Sequence, residues 1–186
     1  MTTASEPTGA RGAVGDGRTL VLLRHAKSAY PEGVPDHRRP LAVRGEREAP
    51  VAGALIAQRV GTPDLVIVSG ATRTRQTWEL AARAWPTPPH TVVDERVYEA
   101  SVDDLVLLLR ELSSAPRCVV LVGHNPGMEE LAFTLSDDVG DPDALRRMST
   151  KFPTSGLAVF GVDRRWEHLV AGCARLRSFD VARAAT

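Results

Sequence analysis

Cysteine is scarce, aromatic residues are few and neither sign of charge prevails in this chain of 186 residues, and each shortage closes off a class of function. Only Cys118 and Cys173 occur, far apart and inside apolar runs, so neither a disulfide framework nor a cysteine-based zinc site is indicated and both are expected to be buried, inert thiols. Lys and Arg number 23 against 23 Asp and Glu, which removes any global field drawing the protein to nucleic acid or an acidic membrane but leaves room for a local basic pocket. No run approaches the 18 or so apolar residues that span a bilayer. The opening MTTASEPTGARGAVGDG also lacks the apolar block of a secretory signal, so a cytoplasmic protein is the expectation.

That opening segment, residues 1 to 17, holds Gly9, Gly12, Gly15 and Gly17, a proline and no aromatic residue. It cannot offset the entropy of ordering and is expected to be a disordered tail. Residues 18 to 186 are long enough for one core and short for two.

From Thr19 the pattern changes. TLVLLR is a continuous apolar run of the kind buried on both faces of a sheet, and DLVIVS (64 to 69) and RCVVLVGH (117 to 124) repeat it. Helix-like stretches lie between them at 43 to 60, 72 to 85 and 102 to 113, the last with Leu105, Leu108, Leu109 and Leu112 on one face. Pro50 should start the first helix late or kink it. LAVFGVD and WEHLVAGCARL read as a hairpin that would form an antiparallel edge. The alternation predicts an α/β three-layer sandwich, a single compact domain with a mostly parallel central sheet flanked by helices.

In open α/β sheets the ligand crevice lies beyond the carboxyl ends of the strands. After TLVLL come Arg24 and His25. After DLVIV come Ser69 and Gly70, with Arg73 in the next helix's first turn, and after CVVLV come Gly123, His124, Asn125 and Pro126. The arginine forks and the helix N-termini after Gly70 and Pro126 suit an anion, and phosphate fits best. A neutral histidine has a free ring nitrogen able to attack phosphorus when its other N–H is held by a carbonyl. Two histidines permit one nucleophile and one charge stabiliser.

Each feature alone has an ordinary reading: a loop pair for Arg24-His25, a solvated charge for Arg73 beside Arg75, a strand-to-helix turn for Gly123 to Gly127. Their conjunction at equivalent strand ends is what carries weight. His37 in the polar 27 to 41 loop, His90 after Pro88 and Pro89, and His168 in the supposed strand WEHLV are read as structural or solvated. No metal-ligand spacing, dinucleotide fingerprint, P-loop or nucleophile elbow occurs, so no metal or cofactor is expected.

LVLLRHAKS, SGATRTRQT and LVGHNPGMEEL resemble, in order and spacing over residues 19 to about 162, the signature blocks of the histidine phosphatase (phosphoglycerate-mutase-like) superfamily. Ala-Lys-Ser after Arg24-His25, the Gly-His-Asn-Pro-Gly-Met-Glu-Glu-Leu run and KFPTSGLAVF are similar to the small SixA-type phosphohistidine phosphatases. The resemblance implies that His25 accepts the phosphoryl group, that Arg24 and Arg73 bind its oxygens and that His124 completes the pocket, without metal. The family's usual glycine after Arg-His is Ala26 here. Asp94-Glu95-Arg96-Val97-Tyr98 resembles the mutases' Glu-x-x-Tyr/Phe block, which points to Glu95 as proton donor with Glu99 as competitor, although SixA-type members can lack an obvious acid.

An alkoxide leaves poorly without a proton, whereas the imidazole of phosphohistidine leaves more easily, so the acid bears on substrate. The expected function is a metal-independent phosphatase acting on phosphohistidine in a phosphorylated protein. A small-molecule phosphomonoesterase acting on a phosphorylated metabolite is the enzymatic alternative. A phosphoprotein-binding module is the other.

Overall fold

The run TLVLL alternates its side chains between two apolar surfaces: Leu20 and Leu22 enter one core cluster, Val21 and Leu23 another, and all four are fully buried. A computed structural model describes residues 17–184 of the chain. The expected tail therefore lies outside the described residues except for Gly17, which is exposed and directly precedes the first strand.

Six strands form one sheet: β1 (Arg18–Arg24), β2 (Leu65–Ser69), β3 (Thr91–Asp94), β4 (Cys118–Gly123), β5 (Gly156–Val162) and β6 (Ala174–Val181), in the order β3-β2-β4-β1-β5-β6. The pairs β1–β4, β2–β4 and β2–β3 are parallel, while β5 runs antiparallel to both β1 and β6. Helices α1 (Val43–Val60) and α2 (Thr72–Ala81) cover the face of Val21 and Leu23 through Ala52, Ile56, Trp78 and Ala81. On the other face lie α3 (Val102–Arg110), α4 (Gly127–Leu135) and α5 (Pro142–Thr150), which bury Leu105, Leu109, Leu131 and Met148. The three-layer expectation holds. The chain leaves β1 for α1 on one face and leaves β4 for α4 on the other, so the boundary between these adjacent strands is the point where a crevice opens.

Several local expectations need correction. Helix α1 does not start late at Pro50 but runs through it; Pro50 and Glu46 are both exposed, so the Glu46 carbonyl that loses its partner lies on the solvent side. The second hairpin arm is not a strand at WEHLV, because Trp166–His168 form a 3₁₀ turn whose fully buried indole donates to the Pro116 carbonyl at 2.7 Å. His168 is thus exposed on a turn, and pairing begins only at Ala174. Cys118 and Cys173 are free but half-buried rather than buried, with burial pushing the Cys118 thiol up to about 11. Among the described residues no helix is long and apolar enough to cross a membrane.

Helices α1 and α2 pack backbone against backbone at Gly53, where a Cβ would overlap the Ala81 carbonyl. Helix propensity alone favours alanine over glycine by about 1 kcal/mol. Backbone against backbone cannot yield as a side-chain tip can, so Gly53→Ala is expected to lower stability by roughly 1–3 kcal/mol. Denaturant unfolding checks the sign, and an unchanged or raised midpoint would show that the helices slide apart freely.

Candidate active site

Register brings the strand ends together. Arg24 pairs with Gly123 and Val68 with Val122, so the residues that follow β1, β2 and β4 emerge at one edge. The His25 N–H extends the ladder to the Gly123 carbonyl at 3.0 Å. His25 and His124 then stand with ring centroids 5.1 Å apart.

His25 Nδ1 lies 2.7 Å from the Ala26 carbonyl, which can only accept, so this nitrogen carries the hydrogen and Nε2 is left with its lone pair. Thr77 holds that turn in place: it accepts the Ala26 N–H at 3.0 Å and donates to the Arg73 carbonyl at 2.6 Å. The Arg-x-x-x-Thr spacing is thereby explained, since residues four apart on α2 lie on one face. Burial, chiefly, lowers the His25 pKa to about 4, with Arg73, Arg24 and Arg39 adding to the effect against the Ala26 hydrogen bond. Burial and then the His25 charge lower His124 to about 3. His124 Nε2 is 2.8 Å from Ser69 Oγ, and its Nδ1 is buried with no protein partner.

Around the pair stand three guanidinium groups. Arg24 Nη1 donates to the Phe152 carbonyl at 2.8 Å. Buried Arg73 donates from Nη1 to the Asp36 carbonyl at 2.7 Å and from Nη2 to Asp36 Oδ2 at 3.0 Å. Arg39 reaches Asp36 Oδ1 at 2.6 Å and Ser28 Oγ at 2.6 Å, and it covers the Tyr30 ring at 3.4 Å. The Tyr98 hydroxyl donates to Asp36 Oδ2 at 2.8 Å. That bond, with help from Arg39 and Arg73, holds the Asp36 carboxyl at about 2. Asp36 is therefore an anion that already occupies guanidinium donors of the kind phosphoryl oxygens use.

The sequence-predicted Arg24, His25, Arg73 and His124 are brought together; the two candidate acids are not placed alike. Glu95 sits against Gly70, where any Cβ would collide with its carboxylate, and Oε2 meets His37 Nε2 at 3.1 Å with the Glu95 side chain 70% exposed. His37 also stands edge-on to Tyr98 at 4.7 Å, so it belongs to the rim of the site rather than to solvent alone. Glu99 instead lines a cavity of about 510 Å³ together with Asp36, Arg73, His124 and Asn125. Asp36, Arg39, Ser69 and Tyr98 were not singled out in the sequence as site residues. Ser69 stood at a strand end beside the crevice without being given a role, and the Asp-x-x-Arg spacing at 36 to 39, which lets Arg39 turn back on Asp36, is a local signal for that pair. Among the described residues no group of three or more His, Cys, Asp or Glu side chains could hold a metal ion.

Residues 20–117 match the model of the histidine phosphatase superfamily (branch 1). The uncharacterised protein Rv1276c of Mycobacterium tuberculosis is 41% identical over 162 residues, covering 87% of this chain and all of that one. The fold is similar to a structure assigned as the phosphohistidine phosphatase SixA of Nakamurella multipartitia, at TM-score 0.78 and 27% identity over 89% of this chain and 96% of that one. A structure assigned as SixA of Agrobacterium tumefaciens follows at TM-score 0.71 and 32% identity, covering 88% and 98%.

The two imidazoles give a measurable consequence. Unfolded, each binds a proton below about 6.5, whereas folded they resist protonation down to about 4 and 3, so the unfolded state holds more protons and stability falls as pH drops through that window. In ring-nitrogen NMR titrations His25 and His124 are expected to stay neutral at about pH 5.5, where an unperturbed imidazole is mostly protonated. Titration of both near 6.5 would contradict the burial argument.

Proposed function

The chain belongs to the histidine phosphatase superfamily, and from that premise we propose that it acts as a SixA-type phosphatase, transferring the phosphoryl group of phosphohistidine in a protein to His25 and then to water. The observation that carries the reading is the state of His25: Nδ1 anchored on the Ala26 carbonyl, Nε2 unprotonated, and guanidinium groups on either side. Nε2 attacks phosphorus, forming an N–P bond as the bond to the substrate imidazole breaks and the electron pair leaves on that ring. Arg24 and Arg73 take the charge on the transferring oxygens, and His124 Nδ1, with Ser69 on its other nitrogen, can donate to them. Water then forms the new P–O bond, breaks N–P and frees His25. Its proton passes to solvent.

Protein phosphohistidine is favoured over an alkyl phosphate because the Asp36 carboxylate, which accepts from Arg73, Arg39 and Tyr98, is kept ionised by those donors and is a poor proton source for an alkoxide. Glu99 supports a second reading, a small-molecule phosphomonoesterase, since it faces the same cavity as Arg73 and His124.

Incubation with a labelled phosphohistidine protein is expected to trap acid-labile label on His25, in the presence of a strong chelator as in its absence. His25→Ala should abolish both label and turnover. Arg73→Ala should cost several kcal/mol of transition-state stabilisation, roughly 10²- to 10³-fold in rate or more. Full turnover by purified His25→Ala would sink the mechanism.

The acid is tested separately. Where a carboxyl protonates the leaving group, its replacement by Gln slows alkyl esters by about 10²- to 10⁴-fold relative to an activated aryl ester. On the phosphohistidine reading neither Glu95→Gln nor Glu99→Gln does so, and the wild type is slow on sugar phosphates. A selective loss in Glu99→Gln, with fast sugar-phosphate turnover, would move the assignment to the second reading; the same loss in Glu95→Gln would restore the donor expected from the sequence.

A further inference from the structure

The run Lys151-Phe152-Pro153-Thr154-Ser155-Gly156 supplies no group to the reaction just described, yet it contacts both members of the Arg24-His25 pair. The Phe152 carbonyl accepts from Arg24 Nη1 at 2.8 Å and from Asn125 Nδ2 at 3.1 Å. Glu129 clamps the same residue, accepting from Asn125 Nδ2 at 2.9 Å and from the Phe152 N–H at 3.3 Å. Three residues on, the Ser155 N–H is shared between the Arg24 carbonyl at 3.2 Å and the His25 carbonyl at 3.1 Å.

Ser155 is fully buried and sits at φ +61°, in the left-handed region where glycine is favoured. A serine persists there against the preference of its own backbone, and its hydroxyl donates to Glu48 Oε2 at 3.2 Å. Glu48, 2% exposed, is the one carboxylate among the buried polar side chains of the described residues. Its Oε1 accepts from Arg44 Nε at 2.8 Å and from Arg183 Nη1 at 3.2 Å. Arg183 donates as well to the Thr154 carbonyl at 3.1 Å, while the Ala182 N–H reaches the Ser155 carbonyl at 3.0 Å.

Packing does not require this charge. Its neighbours on α1, Ala49, Ala52 and Ile56, are apolar, and an anion withdrawn from water is unfavourable unless donors meet it. Besides pairing with Arg44 and Arg183, the carboxylate fixes one hydroxyl, and with it one amide, against the Arg24 and His25 carbonyls.

We propose that Glu48 and Ser155 are positioning residues, which hold the Arg24-His25 backbone through the Ser155 amide so that imidazole and guanidinium keep a single geometry toward the transferring phosphoryl group. Arg183, just past β6, closes the assembly from behind. The inference rests on His25 as the phosphoryl acceptor.

Glu48→Gln, Ser155→Ala and Arg183→Ala are compared with wild type on an activated aryl phosphate, with vanadate and inorganic phosphate as inhibitors and thermal unfolding in parallel. Gln keeps the shape of Glu, and Ala keeps the Cβ and its backbone demand. Displacement of the reacting group by a fraction of an ångström is expected to lower kcat about 10-fold in the first two variants and about threefold in the third, with KM within about twofold. Vanadate, which matches five-coordinate phosphorus, should weaken in step with kcat while phosphate does not. Arg183, whose side chain is 40% exposed, keeps the test decisive if a buried substitution prevents folding, and Arg183→Lys should recover part of the loss. Folded variants that lose thermal stability but keep wild-type kcat and vanadate inhibition would overturn the inference alone. A wild-type protein that neither turns over phosphate compounds nor acquires label on His25 would overturn the functional reading, and this inference with it.

Discussion

The parallel pairing of β1 with β4 is the contact on which the site depends. Both strands are apolar on both faces, and each fully buried Leu or Val contributes roughly 1.5–3 kcal/mol relative to exposure. A slip by one residue would exchange the two faces, sending Leu20 and Leu22 toward α1 and α2, and Val21 and Leu23 toward α3 to α5. With both faces apolar, the close-packed shapes of the two side-chain sets hold the register, and that register puts His25 beside His124 at a centroid distance of 5.1 Å. Chemistry at the strand ends is positioned by hydrophobic burial several residues upstream.

Burial also decides what His25 can accept. Lowering its pKa from 6.5 to about 4 corresponds to roughly 3 kcal/mol in favour of the neutral ring. Desolvation contributes most of this, and the arginines act in the same direction because a proton on Nε2 would add positive charge to a group already ringed by it. On the proposed reading a phosphoryl group would bring negative charge to the same nitrogen, so the environment that refuses a proton is compatible with one that accepts phosphorus.

Strands buried on both faces were plain in the sequence, because long apolar runs leave little ambiguity, while the 43 to 60 helix matched in extent although Pro50 argued for a late start or a kink. Elements governed by few residues were not. Strand β3 has four residues, mostly exposed at the sheet edge, and its polar setting hides it. At Trp166, one indole finding the Pro116 carbonyl outweighed the β propensity of the WEHLV run. The motif-borne groups Arg24, His25, Arg73 and His124 were legible since each follows a strand or opens a helix. Asp36, Arg39 and Tyr98 were not, since only long-range contacts make the local Asp36–Arg39 pair part of the site: Tyr98 reaches Asp36 across 62 residues of chain.

That difference in legibility mirrors a difference in cohesion. The wall bearing His25 and His124 is continuous with the sheet, and disturbing it exposes the apolar core. The wall bearing Asp36, His37 and Arg39 is held by hydrogen bonds and ion pairs, with the Asp36 side chain 48% exposed and His37 40% exposed. Contacts of that kind contribute about 0–1 kcal/mol each. His25 therefore sits on the side of the crevice whose movement exposes the core, and Asp36, His37 and Arg39 sit on the side where local opening takes least free energy. Phosphoryl chemistry demands fixed charge around phosphorus and tolerates variety in the leaving group, and the division of the crevice into an apolar-registered wall and a polar-tethered wall meets both demands within one sheet edge.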